Sequence, residues 1–129
     1  MSNPIKPLDV LKQGDIFWGE PDDTKGSEQS GRRKWIVMSR TALNGNNTVV
    51  VVPLTTKLEK SEKHPDFCIH LPEAEMTPTI GNAPSRESVA LCHQVRVFDK
   101  SRFSEKWGKL STSATYSVQL GIAYVFNNL

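Results

Sequence analysis

The chain has 129 residues and a formal net charge of +2, a size that fits one domain over residues 1–129 and a charge too small for a protein that grips long duplexes. Two cysteines, Cys68 and Cys92, are too few for a disulfide framework, and Met1-Ser2-Asn3-Pro4-Ile5-Lys6-Pro7 lacks the apolar run of a signal peptide, so a reducing, cytoplasmic setting is expected. The longest apolar run, Val49 to Leu54, falls far short of the ~20 residues that span a bilayer, so no membrane partner is expected.

In chain order, Val10 to Gly19 reads as a lead-in and a short strand, with Ile16 and Trp18 on one face and Asp15 and Phe17 on the other. Pro21-Asp22-Asp23 breaks it, and a glycine-bounded loop follows. Trp35-Ile36-Val37-Met38 is a continuous apolar run suited to a buried strand, ended by the turn Asn44-Gly45-Asn46-Asn47. Thr48 to Val52 is β-branched throughout, a strand whose ladder Pro53 is expected to end, leaving Thr55 and Thr56 at its terminus. Lys57 to Asp66 is charged and reads as a mobile connection; Phe67 to Leu71 is a short strand before a second loop with Pro72, Pro78, Gly81 and Pro84. Val89 to Phe98 reads as one long strand or a bulged pair, with Val89, Leu91, His93, Val95 and Val97 on one parity and Cys92, Gln94 and Arg96 on the other. Only the end is helical: Ala114, Val118, Ile122 and Val125 form a stripe, with Ser111 or Ser113 as N-cap. Short strands with one late helix predict a small antiparallel barrel or half-barrel with a helix packed on it.

The chemistry concentrates in Gly26-Ser27-Glu28-Gln29-Ser30-Gly31-Arg32-Arg33, which puts a carboxylate and guanidinium groups on one loop just before a strand. A proton acceptor beside a cation suits phosphodiester chemistry, where a protein supplies position and charge for an anionic transition state. Basic knots stand at Arg32-Arg33-Lys34, at Lys57, Lys60 and Lys63, and at Arg96, Lys100 and Arg102; solvated surface is the plain alternative, above all for the lysines, whose field Glu59 and Glu62 offset. Trp18, Phe17 and Trp35 lie near the loop in sequence and could stack bases, although strand aromatics such as Trp35 and Phe17 are more often core or interface. Cys68, His70, Cys92 and His93 lack the spacing of a structural zinc site, so no metal and no cofactor is called for.

Several blocks then share an order that resembles the MazF/PemK/Kid toxins of bacterial toxin-antitoxin systems, the mRNA interferases. They are Gly14-Asp15-Ile16-Phe17, the Gly26–Gly31 loop with Arg33, Val52-Pro53-Leu54-Thr55-Thr56, Ser88 to Arg96, Asp99-Lys100-Ser101-Arg102 and Gly108-Lys109-Leu110-Ser111. The resemblance implies an SH3-like barrel with a C-terminal helix, a homodimer, metal-independent cleavage of single-stranded RNA at short sequences, and a cognate antitoxin whose tail wraps the toxin, with DNA bound only indirectly through an autorepressing toxin-antitoxin complex. By the same resemblance Glu28, Arg33 and Thr55 are the catalytic positions. Ser27, Gln29 and Gln94 fall on the RNA groove, where Lys34, Thr56 and Ser88 join them as RNA-binding candidates. This chain departs from the family pattern at Lys34, where proline is common, at His93, where an acidic residue is usual, and in the proline-rich loop before Ser88.

Metal-independent cleavage uses the 2′-hydroxyl of RNA itself, which attacks the adjacent phosphorus and leaves a 2′,3′-cyclic phosphate and a 5′-hydroxyl. Glu28 is then the expected base, with a purely structural ion pair to Arg33 as its rival reading; Arg33 supplies charge, and Thr55 a hydrogen bond or merely a strand-end cap. His93 would be a general acid if near the site, but its parity with Leu91 and Val95 favours the core or an interface. Two further readings compete: a non-catalytic poison of a partner such as DNA gyrase, in the manner of CcdB toxins, and an RNA-binding module that has lost cleavage.

Overall fold

The structure, a computed structural model, describes residues 10–21, 31–81 and 86–127. Its elements are β1 (Asp15–Gly19), β2 (Arg33–Val37), β3 (Thr48–Thr55), α1 (Glu59–Lys63), β4 (Cys68–Leu71), β5 (Met76–Pro78), β6 (Ser88–Leu91), β7 (Arg96–Asp99), β8 (Phe103–Leu110) and α2 (Thr112–Asn127). The strands pair antiparallel in the order β4-β6-β3-β2-β1-β8-β5, and β7 lies beside the first half of β3. This is the expected mainly β fold: a curled half-barrel with one C-terminal helix packed on it.

The apolar runs are continuous because both faces of the central strands are covered. Side chains alternate across a strand, so neighbours in sequence go to different cores. Ile16, Ile36 and Val52 enter one cluster, which Ala114 and Val118 of α2 close. Phe17, Trp35, Val37 and Val51 enter another with Phe98 and Phe103. There Phe17 stacks on Phe103 at 5.0 Å and Trp35 tilts against Phe98 at 4.4 Å. The Trp35 indole donates to the Gly19 carbonyl at 3.2 Å, so its polar atom is satisfied.

Several expectations are corrected. Pro53 does not end β3, which continues to Thr55. It falls between the two partners of one edge, after β7 pairs with Thr48 to Val51 and before β6 pairs with Leu54 and Thr55, so its missing N–H breaks neither ladder. The charged stretch 57–66 holds α1, a single helical segment in which Glu59 and Glu62 lie in the first turn and Lys60 and Lys63 in the last, the sense that a helix dipole favours. The Val89 to Phe98 run is two strands, β6 and β7, joined by a helical turn at Cys92–Gln94. That turn resets the parity: Cys92 is buried, while His93 is exposed and sets its ring edge-on to Phe67 at 5.0 Å rather than in the core. Two strands were not anticipated. β8 hides its period because two register shifts against β1 interrupt the alternation. β5 is a three-residue strand on β8, admitted because Gly108 has no Cβ; one there would overlap the Thr77 carbonyl.

At the start of α2, Ser111 is the N-cap of the two candidates, its hydroxyl accepting from the Ala114 N–H at 3.1 Å. The buried stripe runs through Ala114, Val118 and Gly121, and Val125 is exposed. Gly121 lies against Cys92 and Ile69, where a side chain would collide. Lys100, read as surface, is fully buried: its ammonium donates to the Asn44 carbonyl at 2.7 Å. The Asn44 side chain donates in turn to the carbonyls of Leu11 and Ser39 at 2.7 and 3.0 Å. No helix among the described residues is long and apolar enough to cross a membrane.

Candidate nucleic-acid interface

β2 starts where β3 ends. The strands pair with Trp35 opposite Pro53, and extending that register by two residues sets Arg33 opposite Thr55. Gly31, with φ at +75°, makes the turn into β2 in the left-handed region that glycine occupies without strain. The Arg33 guanidinium donates to the Leu54 carbonyl at 3.3 Å. Partial burial lowers its pKa from the usual arginine range, although an arginine stays cationic. On the other edge of β3, pairing of Thr55 with Val89 brings Ser88 alongside.

These groups line a cleft of about 340 Å³, where Arg33, Thr55 and Ser88 are joined by Lys34 and Thr56 and by Trp18, Arg32 and Lys57. Thr55 and Ser88 are nearly buried, at 9% and 4% exposed, and so belong to its floor. The Thr55 hydroxyl accepts from the Lys57 N–H at 3.3 Å, the strand-end cap anticipated as one of its two roles. Ser88 donates to the Arg86 carbonyl at 3.1 Å.

A second cleft of about 450 Å³ adjoins the first, sharing Trp18, Lys34 and Thr56 and adding Arg86, Glu105, Lys106 and Trp107. Cations lie over its aromatic faces. The Arg32 guanidinium is 4.3 Å from the Trp18 ring centre, and the Lys34 ammonium is 4.0 Å from that of Trp107 and 5.4 Å from that of Trp18. Arg32 also pairs with Glu105 at 2.9 Å. Burial, and then the nearby charge of Arg86, lower the Lys34 pKa below the usual lysine range. Among the described lining residues of both clefts, Glu105 is the only carboxylate against Arg32, Arg33, Lys34, Lys57, Arg86 and Lys106. A surface of modest overall charge therefore concentrates its positive field along one groove.

Of the residues predicted from sequence, the structure gathers Arg33, Lys34, Thr55, Thr56 and Ser88. Gln94 sits on the turn after β6 and does not line either cleft. Ser27, Glu28 and Gln29 lie outside the described residues. Phe17 and Trp35 are core, as the commoner fate of strand aromatics suggested. Arg86, Glu105, Lys106 and Trp107 were missed; the last three stand on β8, whose register shifts against β1 hide its strand period. Cys92 is packed against α2, and burial, with Cys68 adding to it, pushes its thiol up to about 12, the behaviour of an inert core cysteine.

The family model for the PemK-like, MazF-like toxin of type II toxin-antitoxin systems matches residues 12–126. The chain belongs to this toxin family. The toxin is 27% identical over 122 residues to the endoribonuclease MazF of Staphylococcus epidermidis, covering 92% of this chain and 95% of that one. It is 28% identical over 98 residues to the endoribonuclease EndoA of Bacillus subtilis, covering 75% and 78%. Its fold is that of MazF from Deinococcus radiodurans, with a TM-score of 0.65 at 21% identity over 92% of this chain and 97% of that one. The same MazF has also been solved as a MazE-MazF complex, which this chain matches with a TM-score of 0.64 at 20% identity over 92% and 97%.

Proposed function

We propose that this toxin is a metal-independent endoribonuclease that cuts single-stranded RNA at short sequences, leaving 2′,3′-cyclic phosphate and 5′-hydroxyl ends. The observation that carries the reading is the cleft at the β2–β3 junction, where Arg33 reaches the Leu54 carbonyl and lines one cleft with Thr55 and the cations Arg32, Lys34 and Lys57. The named activities of the MazF and EndoA relatives support it.

RNA brings its own nucleophile, so the protein has three tasks: to take a proton from the 2′-hydroxyl, to stabilise the phosphorane, and to hold the chain in line; the departing 5′-oxygen takes up a proton from water, which balances the one removed. Glu28, which precedes β2 in sequence, is assigned the first. The planar fork of Arg33 meets the equatorial oxygens of the phosphorane, where charge grows as the bond forms. Thr55, whose oxygen already accepts from the Lys57 N–H, offers its own hydrogen to a non-bridging oxygen. Lys34, Thr56 and Ser88 hold the flanking chain, with Ser27, Gln29 and Gln94 assigned to the same path. In-line attack needs a sugar and phosphate rotated out of the stacked A-form, which restricts the substrate to single strands.

The toxin is further proposed to act in the cytoplasm as a homodimer of one-domain chains, held in check by a cognate antitoxin. Incubation with mixed-sequence RNA in EDTA tests the activity. Cleavage to cyclic-phosphate ends is expected. RNA retarded but uncut would instead make the protein a binding module, and RNA neither bound nor cut would point to a protein target in the manner of CcdB.

A further inference from the structure

The second cleft has no part in the bond-breaking chemistry, yet its walls suit a flat, apolar ring with polar edges. Trp18 stands between the two clefts and lines both, so a nucleotide with its phosphate at Arg33 has the Trp18 face within reach of a neighbouring base. Trp107 keeps only 7% of its surface exposed, with the Lys34 ammonium lying over its ring. Glu105, Arg86 and Lys106 at the margin offer one acceptor and two donor groups to a base edge.

We propose that the cleft between Trp18 and Trp107 is a base subsite, which takes the unpaired base of a nucleotide flanking the scissile phosphate and stacks it on Trp18. This rests on the reading of the toxin as an endoribonuclease and adds a specificity-determining residue to it. In the free protein Arg32 and Lys34 occupy the aromatic faces as cation–π partners. Phosphate oxygens are the stronger partners for both, through charge-assisted hydrogen bonds. As RNA arrives, its backbone draws the two side chains toward the first cleft, and the vacated indole face receives the base. The same two residues thus cover the platform in the absence of RNA and grip the backbone in its presence.

The test compares wild type, Trp18→Ala and Trp18→Phe after matched melting curves confirm folding. Each is measured for affinity toward a mixed-sequence 2′-O-methyl oligonucleotide, which lacks the attacking hydroxyl, and for its map of cleavage sites on mixed-sequence RNA. Trp18→Ala is expected to bind about tenfold more weakly, as loss of one stacked base implies, and to lose base preference at one flanking position. Trp18→Phe, which keeps an aromatic face, is expected to restore most of both. A wild type that cuts while Trp18→Ala matches it in affinity and map would overturn the subsite alone, as would Trp18→Phe behaving no better than Trp18→Ala. A wild type that neither binds nor cuts would overturn the endoribonuclease reading, and the subsite with it.

Discussion

β3 begins beside Lys100 and ends beside Arg33, and the two cations meet opposite surroundings. Lys100 is fully buried, its ammonium tied to the Asn44 carbonyl while the Asn44 side chain ties down Leu11 and Ser39. Ser39 completes the set, donating to the Asn44 side-chain oxygen at 2.5 Å and accepting from the Val50 N–H at 3.1 Å. Arg33 is half-buried, reaches one strand carbonyl and opens onto a cleft with other cations around it. The contrast teaches that a basic residue reads as structural or functional by what surrounds it, since the residue types are the same. A buried charge tied to a main-chain carbonyl fixes a turn, whereas cations gathered at a cleft are placed for a visiting anion.

The largest effect belongs to the proposed chemistry at the open end. Glu28→Gln is expected to slow RNA cleavage by about 10² to 10⁴-fold, the usual worth of a general base, with an unchanged melting curve. Arg33→Ala should follow at about 10²-fold or more, the scale of losing one transition-state donor, again with the fold intact. Ordinary cleavage by Arg33→Ala would erase the distinction between the two ends. At the closed end the expected loss is of stability and not of cleavage. Asn44→Ala leaves the Leu11 and Ser39 carbonyls without this partner, and should cost about 2 kcal/mol or more of stability, read as a lower urea midpoint, while cleavage per folded molecule stays as before. The smallest effect is at the rim. Arg32→Ala removes an exposed ion pair with Glu105, so stability should change by less than about 1 kcal/mol. Its signature is electrostatic instead: the logarithmic salt dependence of RNA binding should become shallower by about 0.7 if Arg32 neutralises one phosphate of a single strand.

Much of this layout was legible in the sequence. β1 to β4 and α2 announce themselves through apolar runs, β-branched residues and the helical stripe, each a consequence of local backbone preference and one-dimensional periodicity. The pairing of Arg33 with Thr55 across β2 and β3 was reached by family resemblance, not by spacing, because no local rule brings residues on separate strands together. Gln94 came by the same route: the resemblance groups it with the groove, and it stands on the turn after β6, outside the residues that line the two clefts. Burial shows the limit of local rules: Lys100, placed by its charge in a basic cluster, is fully buried, and His93, for which strand parity allowed the core or an interface, is exposed rather than in the core.

Alternating and β-branched residues, with a capped stripe at the end, were enough to determine a mainly β chain closed by one helix, because side-chain direction follows from backbone period alone. Which cation is entombed, which tryptophan borders a cleft, and that a glycine in β8 lets β5 lie beside it were decided only by tertiary structure. Those outcomes depend on strand register and bulges, where a shift of one residue sends a side chain to the other face, and no single segment carries that information.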